Sequence, residues 1–218
     1  MSEVRGNVAL VVGATGLIGG ELLQLLIAGD EYKKVIVLAR RPDAIAVQSD
    51  KLSVLTFESA FDNGLENAIE IDDFYCALGT TQKKSGKDGL RYVDKELVID
   101  SARIAKDKGA KTASIVSAIG VSPDSPFFYN RIKGEMEQGI QALSFDNTIF
   151  WQPSVLIGAR DEFRIGEEIA ARLLAFPIFG NYQALPGKQI ARAMIAATPN
   201  AESGVVRHRV QSIKQLTN

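Results

Sequence analysis

Residues 7–20 read NVALVVGATGLIGG, an apolar run followed by three glycines, Gly13, Gly16 and Gly19, each three positions after the last. The apolar run has the composition of a buried strand. Leu17, Ile18, Leu22, Leu25 and Leu26 recur at helical spacing immediately after it. Glycines at a strand-to-helix turn have a physical reading: Gly13 permits the sharp turn, Gly16 lets a pyrophosphate approach the backbone, and Gly19 lets helix and strand pack closely. The segment Gly13, Thr15, Gly16, Leu17, Ile18 and Gly19 therefore reads as a dinucleotide-binding turn, with the phosphates on the unpaired N–H groups of a helix N-terminus.

Working outward, β-branched or continuous apolar runs appear at 34–39, 51–57, 73–78, 111–117 and 147–151, each bounded by polar, Gly or Pro residues. Helical periodicity occupies 89–108, which stops at Gly109, and 126–143. Between the fourth strand and the first of these helices, residues 82–91 (QKKSGKDGLR) read as a charged loop that closes over the phosphates or is merely solvated. Strands alternating with helices, and apolar throughout rather than on one face, predict an α/β fold with a doubly wound parallel sheet of Rossmann type. Beyond residue 158 the pattern loosens into helices at 165–174 and 188–197 and a last strand near 205–210. The expectation is one domain over 1–218, with a core at 1–157 and a small C-terminal layer, 158–218, covering the ligand cleft.

Charge narrows the function. Twenty-five Lys and Arg nearly balance 26 Asp and Glu, and a pI near 5.9 gives no basic field for nucleic acid or an anionic membrane. The apolar stretches are too short for a membrane span, and MSEVRGN leads into the first strand without the features of a signal or transit peptide. A cytoplasmic location and a small-molecule partner follow as expectations. The single cysteine, Cys76, and single histidine, His208, build neither a disulfide nor a metal cluster, so no metal is expected and catalysis has to proceed without a histidine base. Cys76 itself, inside an apolar strand, reads as a structural thiol.

About 20 residues past the glycine turn, where this fold meets the adenosine ribose, the sequence is Ala39-Arg40-Arg41. Guanidiniums cannot accept from a free 2′-hydroxyl but donate well to a 2′-phosphate. NADP(H) is therefore favoured over NAD(H). Further on, Ser117 closes the fifth strand, and Tyr129 and Lys133 form a Tyr-x-x-x-Lys that a helix would place on one face. Lowering a phenol by about three pH units requires about 4 kcal/mol, roughly what one ammonium about 4 Å away supplies at an effective dielectric near 20. That arithmetic makes Tyr129 an acid/base near neutral pH.

These blocks, with CALGTT at 76–81, YVDKELVIDSA at 92–102, SAIGVSPDSPFFYNRIKGEMEQ at 117–138 and WQPSVLIG at 151–158, resemble the short-chain dehydrogenase/reductase superfamily. Within it they are similar to the atypical group that includes the Tat-interacting oxidoreductase, over almost the whole chain. The resemblance implies Tyr129 as the acid/base, Lys133 also holding the nicotinamide ribose, and Ser117 bonding the reacting oxygen. It implies Leu78, Gly79 and Thr80 lining the cofactor, and Pro153, Ser154 and Val155 at the nicotinamide carboxamide. Where many relatives carry an acidic residue for the adenine amino group, this chain has Thr56 followed by Phe57, which is the candidate there. The asparagine that organises a relay water in many members is missing, with Asp94 nearby and unassigned. The expected function is hydride transfer between NADPH and a small carbonyl or alcohol. The alternatives are an NADP(H)-binding regulator acting through a protein partner, and epimerase or dehydratase chemistry on the same residues.

Overall fold

The computed structural model of the chain describes residues 7–62, 65, 69–154, 156–157 and 183–217. Along the chain these form β1 (Asn7–Val12), α1 (Leu17–Ala28), β2 (Tyr32–Ala39), β3 (Leu52–Thr56), α2 (Phe57–Asp62), β4 (Asp73–Cys76), α3 (Gln82–Arg91), a π-helical turn (Tyr92–Glu96), α4 (Leu97–Asp107), β5 (Thr112–Val116) and α5 (Phe128–Ala142). After these come β6 (Asn147–Gln152), β7 (Leu156–Ile157), β8 (Leu185–Pro186), α6 (Gly187–Ala197), β9 (Gly204–Arg209) and α7 (Val210–Gln215).

Seven strands make one sheet in the order β3-β2-β1-β4-β5-β6-β9, every neighbouring pair parallel. Parallel strands need helical crossovers, and these cover both faces. Ala9 and Val11 of β1 point to the face packed by α1, α6 and α7, while Val8, Leu10 and Val12 point to the face packed by α4 and α5. The chain leaves the centre in opposite directions from β1 and β4, so their carboxyl ends diverge and open the crevice where ligands bind in this architecture.

The expected doubly wound sheet is what the chain forms. One local reading needs correction. Residues 82–91 are helix α3, not loop: Thr81 caps it by accepting from the Lys84 N–H, and the helix is kinked at Gly86, with φ +71°. Glycine and lysine content hid a helix whose cap and tertiary contacts outweigh weak propensity. Beyond β6, β9 extends the main sheet beside β6, and α6 packs along α1. A Cβ on Gly187 would stand 2.8 Å from the Leu17 carbonyl oxygen. The helix expected at 165–174 lies outside the described residues.

Backbone contact at the first turn is tighter still. A Cβ on Gly19 would lie 2.0 Å from the Gly13 carbonyl oxygen, whereas one on Gly20 would meet only the Ala14 carbonyl oxygen, at an ordinary 3.5 Å. Gly19→Ala should therefore cost at least about 3 kcal/mol, and Gly20→Ala should be neutral or stabilising by up to about 1 kcal/mol. Urea denaturation of the two variants checks this. Equal stabilities would mean that helix and turn do not approach as described.

Candidate active site

Gly13, with φ +86°, leaves β1 against the strand beside it: a Cβ there would stand 2.4 Å from the Ala77 carbonyl carbon. The Gly16 N–H bonds back to the Gly13 carbonyl at 2.9 Å. Gly16 is the N-cap of α1, which has no side-chain cap and no acidic residue in its first turn. Backbone donors are thus left to a ligand, at the positive end of the helix dipole. Leu78, Gly79 and Thr80 follow β4 beside this turn, so the two segments share one end of the crevice. These residues fit the diphosphate of a dinucleotide.

The adenosine end is built from strand ends. Ala39 pairs with Thr56 in the β2–β3 ladder, which places Arg40 and Arg41 beside Phe57, the first residue of α2. Both arginines are exposed, with no acidic partner among the described residues. Phe57 is half-buried and tilts against Phe61 with ring centroids 5.9 Å apart.

Across the crevice, α5 carries Tyr129, Lys133 and Glu137 four residues apart, hence on one face. The loop from β5 is pinned to this helix. Asn130 Nδ2 donates to the Gly120 carbonyl oxygen at 2.7 Å, and a Cβ on Gly134 would stand 2.3 Å from the Ser122 carbonyl carbon. Lys133 is buried, its Nζ 3.0 Å from Asp94 Oδ1 and 3.5 Å from the Val116 carbonyl oxygen. Asp94, fully buried in the π-helical turn, accepts the Thr80 N–H on its other oxygen at 2.8 Å. Pro153 is buried and its carbonyl accepts from the Ile119 N–H at 3.1 Å, while Ser154 Oγ donates to the Gln183 carbonyl oxygen at 2.9 Å. Val155 lies outside the described residues.

Two sequence expectations change here. Tyr129 is half-buried, its hydroxyl without a hydrogen-bond partner among the described residues, but it is not depressed toward neutrality. Burial pushes the phenol up, Lys133 pulls it down, and Asp94 pushes it up again. Arithmetic with one ammonium left out first the desolvation of the phenol, the largest of these effects, and then the Asp94 carboxylate beside the ammonium. Lys133 in turn is held above its ordinary value, because Asp94 outweighs the burial that favours the neutral amine. Ser117, also buried, donates its hydroxyl to Glu137 Oε1 at 2.6 Å. Cys76, by contrast, behaves as expected, buried with its thiol pushed up to about 12.

Asp94 and Glu137 are the members of the site whose roles sequence reasoning missed. Asp94 stood in the right helix without a role, and the signal for it was an acid one turn after Leu90 and one turn before Val98, in line with the apolar spacing. Its pairing yields a test. Asp94→Asn or Lys133→Met alone leaves a buried charge uncompensated and should cost about 3–5 kcal/mol, and the double variant should recover much of that in a denaturant cycle. In Asp94→Asn the folded lysine loses the partner that raised it, so the folded state binds fewer protons and stability should climb with pH toward the unfolded value of about 10.4. Additive losses would show the pair to be uncoupled.

A family model described as NAD(P)H-binding matches residues 13–150. Among curated proteins, the chain is 36% identical over 183 residues to Protein FMP52, mitochondrial, of Eremothecium gossypii, covering 82% of this chain and 80% of that one. It is 29% identical over 218 residues to Protein HTATIP2 of Rattus norvegicus, covering 93% and 85%. Among solved structures, the Bordetella bronchiseptica enzyme WbmH in complex with NAD+ superposes with a TM-score of 0.69 at 14% identity, over 96% of this chain and 78% of that one. The cytoplasmic location expected from the sequence is overturned by the fungal relatives, which are named as mitochondrial; an unremarkable N-terminus was too weak a basis for it. With the glycine turn, the seven-stranded parallel sheet and the matched segment in agreement, the chain belongs to the NAD(P)H-binding family and carries its Rossmann fold.

Proposed function

We propose that the chain is an NADP(H)-dependent oxidoreductase acting on a small carbonyl or alcohol, with Tyr129 as the acid/base. The observation that carries this reading is the Tyr129 hydroxyl, unpaired among the described residues, on the same helix face as the buried Lys133 ammonium, beside a crevice that fits a dinucleotide. A protein that only binds the nucleotide needs the glycine turn. It has no need of a phenol poised over a buried cation.

The nicotinamide supplies the hydride; the chain supplies everything else. Backbone N–H groups around Gly13, Thr15, Gly16, Leu17, Ile18 and Gly19 hold the diphosphate, Leu78, Gly79 and Thr80 flank it, Arg40 and Arg41 hold the 2′-phosphate, and Phe57 lies toward the adenine. Pro153 and Ser154 face the nicotinamide end. Lys133, kept charged by Asp94, holds the ribose and aims its field at Tyr129. Because burial and Asp94 keep the phenol protonated through the neutral range, Tyr129 serves first as an acid, giving its proton to a carbonyl oxygen. That is the protonation state carbonyl reduction requires.

NADPH consumption across a panel of aldehydes, ketones and quinones tests the reading. With a responding substrate, Tyr129→Phe should lower turnover about 10²–10⁴-fold with little change in NADPH affinity. Turnover at the wild-type rate would end the proposed mechanism. Reduction should hold steady across neutral pH, because the phenol is raised above its ordinary value and keeps its proton there. Tight NADPH binding with no turnover anywhere in the panel would favour the regulatory alternative instead.

Cofactor choice is separately testable. Replacing Arg40 and Arg41 together by alanine should cost about 1.5–3 kcal/mol of NADPH binding and leave NADH binding nearly unchanged. Equal affinity of the wild type for both cofactors would rule the preference out.

A further inference from the structure

Three cations close on one aromatic ring next to Tyr129. Lys87 Nζ lies 5.7 Å from the centroid of the Phe128 ring, Arg91 Cζ 5.8 Å and Arg131 Cζ 5.6 Å, the first two from α3 and the third from α5. An aromatic ring attracts a cation, but it does nothing to stop three cations from repelling one another. Lys87 and Arg91 stand four residues apart on a helix, a spacing at which like charges are destabilising. Among the described residues one carboxylate pairs with the cluster: Glu135, 3.6 Å from Arg91 Nη1 and already held by Lys95 Nζ at 2.6 Å. Lys87 and Arg131 have no acidic partner there. Arg131 Nη1 donates to the Ser125 carbonyl oxygen at 2.9 Å, which fixes the guanidinium without neutralising it.

Position ties the cluster to the site. Arg91 precedes Asp94 by three residues and Phe128 precedes Lys133 by five, so the elements that meet in the Lys133–Asp94 pair meet again about one turn earlier at the Phe128 ring. Phe128 adjoins Tyr129. In the proposed function the diphosphate and the 2′-phosphate have their own donors, at the glycine turn and at Arg40 and Arg41, whereas these cations gather on the acid/base helix.

We infer that the cluster is an anion site for the substrate: the carbonyl compound that meets Tyr129 carries a carboxylate or phosphate group, held by Lys87, Arg91 and Arg131 beside the Phe128 ring. This rests on the proposed oxidoreductase reading and names the class of its substrate. An anion there relieves the repulsion among the cations, and guanidiniums bond both kinds of group through paired N–H donors.

Matched substrates test it: a 2-keto acid against its methyl ester, and a phosphorylated aldehyde against the same aldehyde with a free hydroxyl. The wild type should favour the anionic member of at least one pair by about tenfold or more in kcat/KM, the worth of a charge-assisted contact, and the pair that shows it separates carboxylate from phosphate. Lys87→Glu places a carboxylate among the cations and gives α3 a favourable Glu–Arg spacing, so the variant should fold. It should cut kcat/KM for the anionic member, through KM, about tenfold more than for the neutral one, with NADPH affinity kept. Lys33→Glu, the same change of charge at an exposed position near the start of β2, should keep the preference. Equal use of both members in each pair would overturn the inference, and so would a loss in Lys87→Glu that falls equally on both members or on NADPH.

Binding can be read without turnover. With NADPH saturating, inorganic phosphate or acetate titrated into isotope-labelled protein should shift the amide signals of residues 87–91 and 128–131 saturably, and Lys87→Glu should abolish those shifts. Shifts confined to other residues, or unchanged in the variant, would overturn the site. Absence of any responding carbonyl would remove the oxidoreductase reading, while this titration would still decide whether the cluster takes an anion.

Discussion

The buried pair of Lys133 and Asp94 is the interaction on which the rest of the site depends. Each charge alone would be costly in the interior, and each makes the other tolerable only while α5 and the π-helical turn stay in register. A turn of π-helix inserts one extra residue, which changes the direction of the side chains that follow. Here it turns Asp94 inward, and its second oxygen takes the Thr80 N–H. One carboxylate thus fastens the loop beside the phosphate turn to the lysine beside the phenol. The loop after β4 and helix α5 are positioned by the same atom group.

Around that pair the fold works by backbone proximity more than by side-chain volume. Gly13 lies on Ala77 and Gly19 on Gly13, so β1, its turn and the segment after β4 close on one another with no room for a Cβ. The crevice between β1 and β4 therefore has walls of main chain, whose N–H groups need no rotamer to be frozen before they meet an anion. That is a low-entropy way to hold a diphosphate. Of the charged side chains named at the crevice, Arg40 and Arg41 are exposed at its rim, and Lys133 and Asp94 are paired beneath it.

What the sequence made legible follows from locality. The glycine turn, the order of strands and helices, and the Tyr-x-x-x-Lys spacing are encoded within short windows, where periodicity and turn chemistry act directly. Helix α3 was missed because its residues are poor helix formers in isolation and its cap, Thr81, lies one residue outside the run. Asp94 and Glu137 were missed for another reason. Their meaning comes from partners on other elements: Lys133 and Thr80 for the first, Ser117, Gln152 and Arg207 for the second. No spacing rule announces such contacts, and only topology brings them together.

Desolvation of the phenol, the largest effect, and then the Asp94 carboxylate explain why the electrostatics came out with the opposite sign. A phenol beside an ammonium in a uniform dielectric is driven toward ionisation, and that estimate is sound for the two groups it contains. A lysine seldom enters a core alone, however, because burial penalises its charge unless a carboxylate comes with it. Once Asp94 is included, what reaches Tyr129 is the field of a nearly neutral pair plus the cost of its own desolvation, and the proton stays on. The compensating acid is thus part of the lysine's function. It keeps the ammonium charged and adds to the burial that holds the proton on the phenol. In the proposed reaction, a site arranged this way gives a proton before it takes one.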